Sequence, residues 1–130
     1  MPNRKGFTLV EILIVMVVLG IVAGLAFPVY TNLVERSRAQ EAIRHLDAVK
    51  DALSGYRSIN GNYTGATFAA VRYDPNQVEA GQAAHFSYVL SDVTATTFTI
   101  TAQREPAAQN AGNTLTLDQT GTITRNGVYA

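Results

Sequence analysis

No cysteine and no tryptophan occur in this 130-residue chain, and charged residues make up only 15% of it. The missing cysteines exclude disulfides, thiolate nucleophiles and Cys-type zinc sites, and leave the redox compartment open. Ten acidic residues match ten basic ones, and the pI is near 6.7. That balance excludes a general electrostatic pull toward nucleic acid or acidic substrates. Catalytic motifs are missing as well: there is no G-x-S-x-G, P-loop or G-x-G-x-x-G. His45 and His85 belong to no ligand spacing such as H-x-x-x-H and read as ordinary surface or edge histidines. Ser37, His45 and Asp47 do not share a helix face in triad geometry. Asp92 and Asp118 stand alone, without the dense Asp/Asn/Glu run of a calcium loop. No metal, no cofactor and no catalytic residue is expected.

What is present is one long apolar stretch. The 23 residues from Ile12 to Val34 carry no charge and are mostly Ile, Leu, Val, Ala, Met or Phe. As a helix they span about 35 Å, enough to cross a hydrocarbon core of about 30 Å. Ahead of them lie a short basic leader, Met1 to Lys5, then Gly6, Phe7 and a lone carboxylate, Glu11. An acid in an apolar helix is unfavourable by roughly 3 kcal/mol at mid-membrane, so it marks a function and demands a partner. A secretory signal peptide is the competing reading, with Gly24-Leu25-Ala26 as a small-x-small cleavage site before Phe27. Against it, the apolar region would contain Glu11, and the run does not stop at that site.

Lys5-Gly6-Phe7-Thr8-Leu9-Val10-Glu11, joined to the apolar run with Pro28 near its end, resembles the type IV prepilins and related pseudopilins. The resemblance implies that a prepilin peptidase cuts between Gly6 and Phe7 and methylates the new amino group of Phe7. It also implies that Glu11 faces the positive Phe7 terminus of a neighbouring subunit in a filament core. The physics supports such pairing independently: an ammonium and a carboxylate together in a low-dielectric bundle attract, and either one alone is penalised. A staggered neighbour relieves the penalty, so the pair can set assembly register. Gly20, Gly24 and Pro28 recur every four residues. They suit close helix packing, and they also weaken the helix, with a kink at Pro28 and unwinding in the fibre as expectations.

Past Val34 the pattern turns amphipathic. Ala39, Ala42, Ile43, Leu46, Val49, Leu53 and Tyr56 form one apolar stripe, and the other faces carry Glu35, Arg36, Arg38, Glu41, Arg44, Asp47, Lys50, Asp51 and Arg57. A single helix from Phe7 to about Arg57 is expected. Ser58 to Gln82 has no sustained period and reads as a surface loop pinned by Tyr63, Phe68 and Tyr73, with Asp74-Pro75-Asn76 as a turn. Asn62-Tyr63-Thr64 is a formal glycosylation sequon in that loop. From His85 the period becomes two, at Phe86/Tyr88/Leu90, Phe98/Ile100/Ala102 and Leu115/Leu117, and Gly121 turns the chain into Thr122-Ile123-Thr124. Without cysteines, something other than a disulfide must hold Arg125 to Ala130.

The expected fold is α+β and type IV pilin-like: a long N-terminal helix, apolar then amphipathic, on an antiparallel sheet of three to four strands. The divisions are leader 1–6, membrane or filament-core helix 7–34, amphipathic half 35–57, and loop plus sheet 58–130. The expected function is a non-enzymatic pilus subunit. It would be anchored in the bacterial inner membrane before assembly and extracellular in the filament afterwards. Its partners would be other pilin subunits, prepilin peptidase, the inner-membrane assembly machinery and lipid. The eleven Phe and Tyr residues are scattered like core residues, and no specific nucleic acid is predicted. Two alternatives stand beside this one: a pseudopilin of a type II secretion system, and an exported binding protein or small enzyme with an ordinary signal peptide.

Overall fold

The computed structural model describes residues 3, 5–80, 84–107 and 109–130. Residues 1, 2 and 4 of the expected leader and residues 81 and 82 of the expected loop lie outside the described residues. The chain divides into two compact units, Met1–Glu35 and Arg36–Ala130, with helix α1 (Leu9–Asn60) running through both. The helix starts two residues after Phe7 because Thr8 caps it. It continues past Arg57 because neither glycine nor proline stands between Arg57 and Gly61, whose φ of 82° ends it in the left-handed conformation that glycine tolerates.

In the first unit the large apolar side chains from Phe7 to Leu33 are unburied, with exposures from 48% at Ile12 to 84% at Phe7. Among the described residues, none in its most apolar window is buried. An apolar surface of this kind on a helix of membrane-spanning length requires lipid or other helices around it.

The second unit carries its own core. Ala39, Ala42, Leu46, Val49 and Leu53 of α1 are buried, the stripe that the spacing predicts, with Ile43 and Tyr56 partly covered at its margins. Opposite them lies a four-stranded antiparallel meander in the order β1 (Phe86–Ser91), β2 (Thr99–Arg104), β3 (Thr114–Asp118), β4 (Ile123–Arg125). Register places Leu90 beside Ile100, Ile100 beside Leu117 and Leu117 beside Ile123, so one row of apolar side chains crosses all four strands. Burial alternates along β2 and β3, as a sheet with one covered face requires. Phe98, just before β2, stacks edge-on against Tyr63 with ring centroids 4.9 Å apart.

The segment expected to be a plain loop contains two short helices. Thr67 caps α2 (Phe68–Val71) by accepting from Ala70 N–H, and Asp74 caps α3 (Pro75–Glu79) by accepting from Asn76 N–H. Asp74-Pro75 is therefore a helix start with proline at its first position, not a turn. From α3 the Asn76 side chain reaches the outer edge of β1. Its Oδ1 accepts from Tyr88 N–H at 2.8 Å and its Nδ2 donates to Tyr88 O at 2.9 Å. An amide side chain thus satisfies edge groups that another strand would otherwise pair.

The end of the chain is held without a covalent link. Asn126 N–H donates to Thr114 O at 2.9 Å, Val128 N–H donates to Asn113 Oδ1 at 3.1 Å, and the Tyr129 ring lies 6.0 Å from that of Phe86. A Cβ at Gly127 would overlap Asn113, so glycine is what permits this approach. In the β3–β4 turn, hydrogen bonds from the Thr120 hydroxyl and then from backbone N–H groups hold the Asp118 carboxyl below its usual range.

Leu46 is fully buried between helix and sheet. Truncating it, Leu46→Ala, should cost the Arg36–Ala130 unit about 2–5 kcal/mol, read from urea unfolding of the detergent-solubilised chain, and Leu46→Asp should abolish the cooperative transition. Ile59→Ala, at a position 87% exposed, should leave the midpoint in place. An unshifted midpoint for Leu46→Ala would contradict this packing.

Candidate filament-assembly site

Lys5, Gly6 and Phe7 precede the helix as exposed, non-helical chain, with the Gly6–Phe7 bond accessible. Thr8 then begins the helix: its carbonyl accepts from Ile12 N–H at 3.3 Å and its hydroxyl accepts from Glu11 N–H at 3.2 Å. Glu11 answers by reaching back, its Oε2 accepting from Thr8 N–H at 2.9 Å and from the Thr8 hydroxyl at 3.2 Å. This is a reciprocal capping box, which satisfies two backbone donors that a helix start would otherwise leave open. The carboxylate also sits at the positive end of the helix dipole.

Within a single chain, then, Glu11 has a partner of its own. The T-x-x-E spacing ahead of an apolar run is the sequence signal of such a capping box. The local bonds use Oε2. The charge stays exposed on the helix surface, within reach of a cation from outside.

Gly20, Gly24 and Pro28 lie along the same stretch of α1, and the helix is unbroken across all three. Among the described residues, a Cβ built at Gly20 or Gly24 meets nothing within 4 Å, so no contact found there requires either glycine. The Thr31 hydroxyl donates back to Pro28 O at 3.0 Å, a local bond one turn past the carbonyl of Gly24 that proline leaves without its backbone donor.

A second polar constellation lies in the sheet-bearing unit, and sequence patterning did not foresee it. His45 is not a plain surface histidine. Its Nδ1 lies 2.7 Å from the Tyr73 hydroxyl, its Nε2 3.4 Å from Glu79 Oε1, and its ring meets Tyr88 edge-on at 5.6 Å. The Tyr88 hydroxyl donates to Glu79 Oε1 at 2.8 Å. Burial first, then the Glu79 carboxylate, pushes the Tyr88 phenol well above its ordinary range, and Tyr73 shifts the same way for the same causes. Glu79 is itself buried, and it belongs to the segment that carried no periodic signal.

With this geometry in view, comparison with known proteins is decisive. Residues 1–27 match the family described as "Prokaryotic N-terminal methylation motif", and residues 28–118 match "Type IV minor pilin ComP, DNA uptake sequence receptor". The chain belongs to the type IV pilin family. Among its relatives, fimbrial protein EcpC of Eikenella corrodens is 40% identical over 67 residues, 52% of this chain and 44% of that protein. The type IV major pilin protein PilE1 of Neisseria gonorrhoeae is 34% identical over 77 residues, 58% of this chain and 47% of that pilin. The chain thus spans less than half the length of these curated relatives. Among solved structures, the non-core minor pilin PilV of Neisseria meningitidis is 25% identical, covers 64% of this chain and 84% of its own, and superposes with a TM-score of 0.39. The pilins and fimbrial proteins among these relatives are structural proteins, and an apolar helix at the N-terminus of a type IV pilin suits membrane anchoring and entry into a pilus.

Proposed function

We propose that the protein is a structural subunit of a type IV pilus, held in the inner membrane by residues 7–34 until it is polymerised. One observation supports this most directly: a capped helix with an entirely uncovered apolar surface begins immediately after Lys5-Gly6-Phe7. In this reading residues 1–6 are a leader, removed by prepilin peptidase between Gly6 and Phe7, after which the Phe7 amine is methylated. The new ammonium of one subunit meets Glu11 of the next and sets the stagger between them. Residues 36–130 cover the outside. The glycines at 20 and 24 and the proline at 28 supply a segment of low helix propensity that can extend as subunits pack. The protein has no catalytic duty of its own; the assembly machinery of the inner membrane does the work.

A second reading adds a ligand to this role. The match of residues 28–118 to the family described as a DNA uptake sequence receptor favours DNA contact by the sheet-bearing unit. The chain as a whole is neutral, so such contact would rest on local side chains. Arg36 and Arg125 line one cleft of about 290 Å³ in that unit, and both are exposed.

Intact-mass measurement of the membrane-bound or filamentous protein tests the first reading. The mass should correspond to a chain beginning at Phe7 with one added methyl group, and Gly6→Val should leave the leader attached. A chain beginning at Phe27 would contradict it and indicate export. For the second reading, mobility shift with duplex DNA should show binding that weakens with salt and falls at least 10-fold in Arg36→Ala/Arg125→Ala, about 1.4 kcal/mol. Absence of any shift at low salt would eliminate it.

A further inference from the structure

Glu41, His45 and Glu79 come together from two helices, with one possible ligand atom of each lying within 4.8 Å of the other two. Glu41 and His45 are four residues apart on α1 and so share a face; Glu79 arrives from α3. We propose that these three side chains form a site for a divalent cation of the zinc class, clipping α3 to α1.

Three observations support this. The first is that the His45 ring is already oriented, because Nδ1 is engaged by the Tyr73 hydroxyl at 2.7 Å and Nε2 is left facing Glu79 at 3.4 Å. Metal-binding histidines are held in this way by a partner on the other ring nitrogen. The second is that Glu79 Oε2 is buried and meets no hydrogen-bond partner among the described residues, although Oε1 receives the Tyr88 hydroxyl. A buried carboxylate oxygen without a donor is uncommon and calls for a proton, a water or a cation. The third is charge. Two carboxylates face one imidazole, and a divalent ion offsets both negative charges.

The donor set selects the ion. An imidazole with two carboxylates suits zinc, cobalt or nickel, whereas calcium and magnesium take oxygen ligands throughout. Three protein ligands leave a fourth position to water. His45 Nε2 and Glu79 Oε1, 3.4 Å apart, already have the spacing of two ligands on one ion with bonds of about 2.0–2.2 Å, so Glu41 is the ligand left to adjust. Glu41 is exposed, and its flexible side chain can supply that movement. The clip would secure the segment whose Asn76 guards the edge of β1, in a chain with no cysteine to do so.

The test is calorimetric titration of Zn²⁺ into the full-length, detergent-solubilised, EDTA-stripped chain, with Co²⁺ absorption as a second signal. One equivalent should bind and raise the unfolding temperature, and Ca²⁺ should bind at least 10-fold more weakly. Glu41→Gln, at an exposed position that leaves the core untouched, should weaken Zn²⁺ binding at least 10-fold. His45→Gln should do so too and should abolish the visible Co²⁺ bands, with circular dichroism confirming its fold. His85→Gln should retain full affinity. Absence of stoichiometric binding would overturn the proposal, as would unchanged affinity in Glu41→Gln and His45→Gln, or Ca²⁺ binding as tightly as Zn²⁺.

Discussion

A carboxylate one turn inside an apolar helix is the constraint around which this molecule is arranged. Glu11 gains about 1 kcal/mol from its reciprocal bonds with Thr8, the ordinary contribution of a helix cap. Carrying an acid to the middle of a membrane helix costs about 3 kcal/mol. The cap alone therefore does not hold Glu11 in a dry interior; it suits a position at the membrane surface, where the helix begins. An ammonium at roughly 4 Å in a medium with a dielectric constant on the order of 20 contributes about 4 kcal/mol, enough to change that balance. In the proposed filament the same residue serves twice: it starts the helix in the single chain and, once a neighbouring amine is present, it identifies the correct neighbour.

The two units of the chain solve opposite problems. In the first, apolar side chains are left uncovered on every side, which is tolerable only among lipids or other helices. In the second, the helix buries a stripe from Ala39 to Leu53 against a sheet that has alternating burial and no cysteine to brace it. Side-chain amides serve as braces instead. Asn76 satisfies the edge of β1, and Asn113 holds the chain end through Val128 N–H. Both are short, rigid groups that carry a donor and an acceptor together, which is what an unpaired backbone segment needs.

Periodicity made most of the fold legible. The stripe of α1 and the alternation at Phe86/Tyr88, Ile100/Ala102 and Leu115/Leu117 are direct consequences of which face is buried, so sequence spacing exposes them. The helices α2 and α3 leave no periodic trace, because four or five residues are too few to display a period; their local signals are the caps Thr67 and Asp74, and Asp74-Pro75 reads equally as a turn. The Glu41–His45–Glu79 group was hidden for a different reason. Its third member is brought in by a segment with no pattern at all, across 34 positions of chain between His45 and Glu79. Proximity of that kind is a product of tertiary structure, and local spacing carries no trace of it.

The central claim is that the charge of Glu11, beyond its capping geometry, directs assembly. Glutamine separates the two, because it keeps the capping-box spacing and loses the charge. The decisive measurement is the incorporation of Glu11→Gln subunits into sheared surface filaments when they are expressed beside the wild-type chain. The account predicts normal membrane insertion and leader removal with incorporation reduced at least 10-fold, about 1.4 kcal/mol. Incorporation equal to that of the wild type would contradict it.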